Sequence, residues 1–215
     1  MEWDPLVRIY ESRLWRRNPI FAAFTGISFD DEYAAIAEAA RISRATQVLD
    51  LACGPGIYAR RFARQARKGV VVGLDLSMPM LRYATRRASE EGLGNLLLVR
   101  GNALSLPFEN GLFDVVNCGG ALHLFPDVPC VLREIHRVLK GDGRLTIATL
   151  SRGEGMLARF QNEVRRRLIG VDAFSPDDLT VRLKRAGFSR LRCLHAAGIW
   201  LIVTARKARQ KHEPD

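Results

Sequence analysis

Short aliphatic runs alternate with amphipathic segments along most of this chain. The runs have the length and composition of buried strands. Seven strands are expected: one begins at residue 48, and the others lie at residues 70–74, 96–100, 111–118, 143–148, 191–195 and 199–205. Apolar residues at helical spacing fill the intervals, in segments beginning at residues 57, 77, 127 and 175. This alternation of strands and helices predicts an α/β fold.

The pattern also divides the chain. Two amphipathic helices, at residues 3–17 and about 30–42, precede the first strand, and a basic helix near residues 154–168 interrupts the alternation. At 215 residues the chain is long enough for one α/β domain with a full core. The predicted divisions are an N-terminal helical cap (1–45), the alternating domain (46–205), an insertion within it (151–174) and a basic tail (206–215).

The first predicted strand ends in a glycine turn that opens a helix. Gly54 and Gly56 allow positive φ and a close approach to a ligand, and the helix beginning near Ile57 directs free N–H groups at the turn. Asp50 adds a carboxylate that suits an ammonium better than a pyrophosphate. The spacing fits the dinucleotide pattern Gly-x-Gly-x-x-Gly poorly, but a dinucleotide remains an alternative ligand.

A second acid strengthens the prediction of a nucleoside site. Asp75 ends the next predicted strand, nineteen positions after Gly56. An acid about 20 residues beyond a glycine turn is placed to bind ribose hydroxyls. The helix that follows is predicted to begin at Ser77 as N-cap, with Pro79 in its first turn.

Several motifs resemble those of the class I S-adenosylmethionine (SAM) dependent methyltransferases. Asp-Leu-Ala-Cys-Gly-Pro-Gly at 50–56 resembles motif I of that family. Gly-Asn-Ala-Leu-Ser-Leu-Pro-Phe at 101–108 is similar to its Gly-Asp-Ala-x-x-Leu-Pro-Phe segment, with Asn102 at the acidic position. Phe-Asp-Val-Val at 113–116 and the turn at 137–145 follow in the family's order. The resemblance covers about residues 46–205 and implies a Rossmann-like, doubly wound, seven-stranded, mostly parallel sheet.

The resemblance also implies a set of cofactor-binding residues. Asp50 and the turn would hold the amino acid end of SAM, Asp75 its ribose, and the pair Leu76 and Met80 its adenine. Asn102 would bind the adenine amino group through its amide oxygen. The full set is Asp50, Ala52, Cys53, Gly54, Gly56, Asp75, Leu76, Met80, Asn102, Ala103, Cys118 and Gly119.

Two residues are candidates for the catalytic step. The loop that begins at Gly119 and Gly120 is expected to face the transferred methyl, and it contains His123, a residue type whose intrinsic pKa is close to neutral, as a general base needs. Tyr10, with Trp15, lies on the predicted cap helix, and in this family such caps supply substrate contacts. Hydrogen-bonded structure is the alternative role for His123, and core packing is the alternative for the two aromatics.

The chain is strongly basic, with a net charge of +10 and a pI near 10.1. Much of the excess is arginine on predicted helix faces, which a solvated surface explains. An anionic membrane surface, an acidic substrate or nucleic acid could also attract such a surface. Nucleic acid is disfavoured, because no aromatic residues interleave with the arginines and the Asn/Asp-Pro-Pro-Tyr/Phe motif is absent.

The cysteine pattern and the length of the apolar runs bear on the cellular compartment of the protein. The four cysteines are scattered without a Cys-x-x-Cys pair, which indicates a reducing compartment and no structural metal site. No apolar run approaches the ~18 residues of a membrane span, and no secretory signal is evident. A cytoplasmic protein is therefore expected.

The function implied is methyl transfer from SAM to a small-molecule acceptor, by in-line displacement at the sulfonium. The Leu-Pro-Phe segment and the Ala-Leu-His loop resemble those of ubiquinone and menaquinone biosynthesis methyltransferases, so C- or O-methylation of a quinol, a phenol or another secondary metabolite is expected. The alternatives are a methyltransferase acting on nucleic acid or protein, an NAD-dependent oxidoreductase, and a SAM-binding protein without activity.

Overall fold

In the computed structural model, residues 19–153, 156–169 and 171–208 are described. The helices are α1 (Pro19–Thr25), α2 (Phe29–Ala40), α3 (Ile57–Gln65), α4 (Met78–Glu90), α5 (Val128–Val138), α6 (Met156–Ile169) and α7 (Pro176–Arg185), with a 3-10 turn at Leu122–Leu124. The strands are β1 (Val48–Leu51), β2 (Val71–Asp75), β3 (Leu96–Arg100), β4 (Phe113–Gly119), β5 (Leu139–Leu150), β6 (Phe188–Ala197) and β7 (Trp200–Lys207).

The strands form one sheet in the order β3-β2-β1-β4-β5-β7-β6. The pairs among β1 to β5 are parallel, and β7 runs antiparallel to both β5 and β6. This confirms the predicted doubly wound, seven-stranded, mostly parallel sheet. The strand order reverses between β1 and β4, and in such sheets the crevice at that point binds ligands.

Apolar residues cover both faces of the sheet. On one face, α2, α3 and α4 bury residues such as Ile36, Phe62 and Leu81. On the other, α5 and α7 bury residues such as Leu132 and Leu183. Each of these helices is amphipathic in the sequence, which is why the 3.6-residue spacing located them correctly.

Strand β5 differs from the prediction. It was expected at residues 143–148, after a helix reaching Lys140, but it begins at Leu139, which pairs with Phe113 before the register shifts. Helix α5 ends at Val138, where the Lys207 ammonium binds the carbonyls of His136 and Leu139, at 2.7 and 2.8 Å. A cation at a helix C-terminus satisfies carbonyls that have no partner within the helix. That lysine lies far away in the sequence.

The predicted cap is described only in part. The helix expected at about residues 30–42 is α2, and Ser28 caps it by accepting a hydrogen bond from the N–H of Asp31. Helix α1 was not predicted. The helix expected at residues 3–17, with Tyr10 and Trp15, lies outside the described residues. Strand β7 extends through Lys207, which is inside the segment predicted as a tail.

Candidate functional site

A cavity of about 600 Å³ lies where the carboxyl ends of β1, β2, β3 and β4 meet. Its volume is in the range of sites for small ligands and cofactors. The predicted cofactor residues that line it are Ala52, Cys53, Gly54, Asp75, Leu76, Met80, Asn102, Ala103 and Gly119. Four strand ends and the loops after them therefore contribute to one site.

The glycine turn presents its backbone to this cavity. Gly54 has φ +53°, and a Cβ added there would meet nothing within 4 Å. Gly56 has φ +78°, and its Cβ would lie 3.1 Å from the Cβ of Ala84. Ala52 also has positive φ, at 53°, which L-residues with a side chain rarely adopt. Gly54 thus leaves open space for a ligand, whereas Gly56 allows α3 and α4 to pack closely.

The carboxylate of Asp75 holds two loops together. Its Oδ2 accepts a hydrogen bond from the N–H of Gly54 at 2.7 Å, and its Oδ1 accepts one from the N–H of Ser77 at 2.8 Å. Each carboxylate oxygen has a further lone pair to offer. Asp75 is therefore fixed at the cavity wall with acceptor capacity toward a hydroxyl-bearing ligand.

Asp50 lies beneath the turn rather than on the cavity wall. It is 1% exposed, and its Oδ1 accepts a hydrogen bond from the amide of Asn117 at 2.8 Å. The Asn117 oxygen accepts one from the hydroxyl of Thr146 at 2.9 Å. This buried network joins β1, β4 and β5 under the site. Gly56 and Cys118 likewise lie outside the described lining of the cavity.

Both cysteines of the predicted set are thiols rather than thiolates. Burial raises the pKa of Cys118 to about 12, and the nearby Asp50 carboxylate acts in the same direction. Burial also raises the pKa of Cys53, with Asp50 and Asp75 adding to the effect. Protonated thiols at these positions act as small apolar groups.

Tyr58 lines the cavity although the sequence analysis did not select it. Its ring lies so close to Gly119 that a Cβ added to the glycine would be 2.5 Å from Cε2. Its hydroxyl donates a hydrogen bond to the carboxylate of Glu32, which is 2% exposed. Helix α2 of the cap is thereby joined to the cavity wall. The available signal was an aromatic residue in the first turn of the helix after the glycine turn.

Arg60 is one helix-face arginine that a solvated surface does not explain. It is 7% exposed, and its Nε donates to the carbonyl of Gly56 at 3.2 Å. Its guanidinium also binds Glu91 at 2.9 Å. Arg60 therefore ties the glycine turn to the end of α4, the helix that carries Met80.

The segment after β3 lines the cavity with Asn102, which was predicted to bind adenine. Asn102 accepts a hydrogen bond from the N–H of Leu104 at 3.0 Å through its amide oxygen, so the backbone holds this side chain. Further along, the N–H of Leu106 donates to Glu134 on α5 at 2.7 Å. A hydrogen bond from Arg137 lowers the pKa of the Glu134 carboxyl below its usual range, and the Leu106 N–H acts in the same direction.

His123 is placed beside the site, not on its wall. It is 8% exposed, its Nδ1 lies 3.1 Å from the hydroxyl of Thr149, and the N–H of Leu150 donates to the same nitrogen at 3.4 Å. The described lining of the cavity includes Ala121 and Leu124 but not His123. Its role as a base stays a prediction.

Within 19–153, 156–169 and 171–208, no group of three or more His, Cys, Asp or Glu side chains is arranged to hold a metal ion. Over the same ranges, every helix is too short or too polar to cross a membrane.

Known proteins resemble both the sequence and the fold. The methyltransferase domain family matches residues 42–176. A demethylmenaquinone methyltransferase from Lactococcus lactis is 44% identical over 99 residues, which are 46% of this chain and 39% of that protein. The aligned part of the chain thus spans about two fifths of the length of that relative. The YcgJ protein of Bacillus subtilis matches with a TM-score of 0.74 at 21% identity, over 84% of this chain and 100% of that one. A SAM-dependent methyltransferase from Methanosarcina mazei matches with a TM-score of 0.69 at 20% identity, over 81% and 98%.

The fold and the site define a class I SAM-dependent methyltransferase domain. The chain belongs to the methyltransferase domain family, whose match covers most of the domain that was predicted from the sequence. S-adenosylmethionine is the cofactor of this family. The cavity fits it in size, and its wall combines an acid and open backbone at one end with apolar side chains at the other.

Proposed function

We propose that this protein transfers a methyl group from SAM to a small, largely apolar acceptor such as a quinol or a phenol. The observation that carries the proposal is the joining of Asp75 to Gly54 at the wall of a cavity of about 600 Å³. The bond places the acid predicted for the ribose beside the turn predicted for the amino acid end.

Different residues of the cavity wall bind different parts of SAM in this proposal. Asp75 accepts from the ribose hydroxyls, and Leu76 and Met80 contact the adenine, with Asn102 and Ala103 at its edge. Gly54 leaves its backbone open to the amino acid end, and the buried carboxylate of Asp50 supplies negative charge under the turn. SAM, when bound, supplies a methyl group that is already activated by its sulfonium. The protein then needs mainly to align donor and acceptor and to exclude water, which can contribute up to about 7–11 kcal/mol.

The acceptor is proposed to enter beside β4. At this end the cavity is lined by Gly119, Gly120 and Ala121, and then by Leu124 and Phe125. These residues offer apolar surface and backbone groups but no charge, which suits a flat aromatic ring better than a polar substrate. The likeness to a demethylmenaquinone methyltransferase supports a quinone-type acceptor.

Titration calorimetry with S-adenosylhomocysteine tests the cofactor part of the proposal, with NAD as the comparison ligand. We expect micromolar binding of the former and none of the latter. Transfer of labelled methyl from SAM to a panel of quinols and phenols then tests the acceptor class. Binding of NAD alone would contradict the proposal, and methylation of RNA or protein instead of the panel would replace the acceptor class.

A further inference from the structure

Helix α6 presents a row of large apolar side chains to solvent. Met156 is 88% exposed, Phe160 66%, Val164 37% and Leu168 77%. Because they recur every four residues, they form one slowly winding stripe along the helix. We call these four residues the α6 stripe. A contiguous exposed apolar surface of this kind marks an interaction site.

The opposite face of the helix is attached through a polar residue. Asn162 is 7% exposed, its amide donates to Asp172 at 2.7 Å, and its oxygen accepts from the N–H of Ala173 at 2.9 Å. Asn162 lies two residues from both Phe160 and Val164, a rotation of about 200° around the helix. Among the described side chains of α6, the polar Asn162 is therefore turned inward and the apolar stripe is turned outward.

The charge of the helix indicates what covers the stripe. Its sequence, Met-Leu-Ala-Arg-Phe-Gln-Asn-Glu-Val-Arg-Arg-Arg-Leu-Ile, holds four arginines and one glutamate. The side chain of Arg167 is 78% exposed and pairs with Glu163 at 2.8 Å. The whole chain carries a net charge of +10. An apolar row accompanied by arginines suits a helix that lies in the interface of an anionic bilayer. A second copy of the chain would bring two basic helices together.

The stripe belongs to the segment of residues 151–174, which contacts the loop that lines the cavity. At the end of that segment, the N–H of Asp172 donates to the carbonyl of His123 at 3.3 Å. The next residue, Leu124, lines the cavity and is 57% exposed. Ser151 and Phe174 are bridged at the base of the segment. The segment that carries the stripe thus returns to the fold beside the part of the cavity proposed for the acceptor.

We propose that α6 is a membrane-docking helix, whose stripe enters the interfacial region of an anionic bilayer while the basic charge of the helix is attracted to the lipid phosphates. Docking would bring a lipid-dissolved acceptor close to the cavity; this consequence, unlike the docking itself, rests on the proposed function.

Sedimentation with vesicles tests the docking. The full chain is mixed with vesicles of phosphatidylcholine containing about one third phosphatidylglycerol, or of phosphatidylcholine alone. We expect retention on the anionic vesicles. Phe160→Ser with Leu168→Ser should lower the partition coefficient at least tenfold, because both side chains enter the interface. Phe24→Ser with Leu112→Ser, which removes exposed apolar side chains elsewhere, is the matched control and should have little effect. Arg167→Gln should weaken retention about fivefold.

Several results would overturn the proposal. They are no retention of the unaltered chain, retention that the stripe variant leaves unchanged, and equal retention on neutral vesicles. A dimer in analytical ultracentrifugation that the stripe variant dissociates, without vesicle binding, would assign the stripe to a second copy. Stripe-dependent binding of polyglutamate alone would assign it to an acidic protein. Calorimetry with S-adenosylhomocysteine on every variant shows whether the folded cofactor site is intact, independently of vesicle binding. Docking can therefore fail while the proposed function stands.

Discussion

Oδ2 of Asp75 accepts a hydrogen bond from the backbone N–H of Gly54 at 2.7 Å. Gly54 follows the end of β1 and Asp75 is the last residue of β2, and the pairing of these neighbouring strands brings the two residues together. The acid therefore shapes the glycine turn in addition to its proposed contact with the ribose. Both carboxylate oxygens accept from backbone N–H groups. An asparagine side chain at this position would turn its NH₂ group toward one of those two N–H donors, so that one hydrogen bond would be lost.

Asp75→Asn should consequently weaken binding of S-adenosylhomocysteine nearly as much as Asp75→Ala. Loss of charged hydrogen bonds costs about 1.5–3 kcal/mol, which corresponds to about a 10–150-fold increase in Kd. Asp142→Asn, at a surface ion pair with Arg206, is the control and should leave Kd unchanged. Calorimetry measures all three. If the Asp75→Asn variant bound as tightly as the unaltered chain, the double role of Asp75 would be contradicted.

Gly54→Ala separates ligand contact from backbone strain. Its φ is +53°, and the added methyl would project into open space. Gly92 has φ +65° and equally open surroundings, but it lies after α4, away from the cavity. Both alanine variants should lose about 1–2 kcal/mol of unfolding free energy from the left-handed conformation.

Only Gly54→Ala should also weaken S-adenosylhomocysteine binding, by tenfold or more, since its methyl occupies ligand space. Urea unfolding and calorimetry give the two quantities independently. Equal affinities for the two variants would mean that the ligand does not approach the turn at Gly54.

Tyr58→Phe should destabilise the fold more than the same change at Tyr33. The Tyr58 hydroxyl binds the buried Glu32, so its removal leaves a buried carboxylate short of a donor, at a cost of about 1–3 kcal/mol. The Tyr33 hydroxyl donates to Gln65 at an exposed site, where water can replace it. The unfolding free energies should differ accordingly. Similar losses would show that the Glu32 contact contributes little.

The Glu134 carboxyl should make stability depend on acid pH. The hydrogen bond from Arg137 depresses its pKa in the folded state relative to a usual value of 4.5. A group with a depressed folded pKa stabilises the fold above its unfolded pKa, and that contribution is lost as pH falls through the folded value. Glu134→Gln should therefore destabilise the protein at neutral pH and flatten the fall in Tm below about pH 4.5.

Glu109→Gln, at an exposed position, should leave the pH dependence of Tm as it is in the unaltered chain. Parallel Tm curves for the Glu134 variant and the unaltered chain would refute the assignment.

A base role for His123 predicts a specific change in the pH profile. His123→Asn should lower kcat and abolish the fall in kcat that occurs as the imidazole becomes protonated. The ring also contacts Thr149 and Leu150, so stability must be measured alongside activity. A variant with lower Tm but an unaltered pH profile would assign His123 to structure.

The sequence alone determined the order and type of the main elements, the glycine turn after β1, and the acid that ends β2. Those features depend on local periodicity and on residue types at short spacing, which a single chain displays directly. They were sufficient to indicate the family and nine of the residues that line the cavity.

Tertiary structure alone decided which of those residues face the cavity and which lie beneath it. Asp50 is buried against Asn117, which is 67 positions away, and the hydroxyl of Tyr58 binds a cap residue 26 positions earlier. The carbonyls at the end of α5 bind Lys207, about 70 positions later, and Asn162 on α6 is held by Ala173, 11 positions later. Each of these depends on which strands become neighbours in the sheet and on which helices pack against them. Such pairing is long-range, and no local pattern in the sequence encodes it.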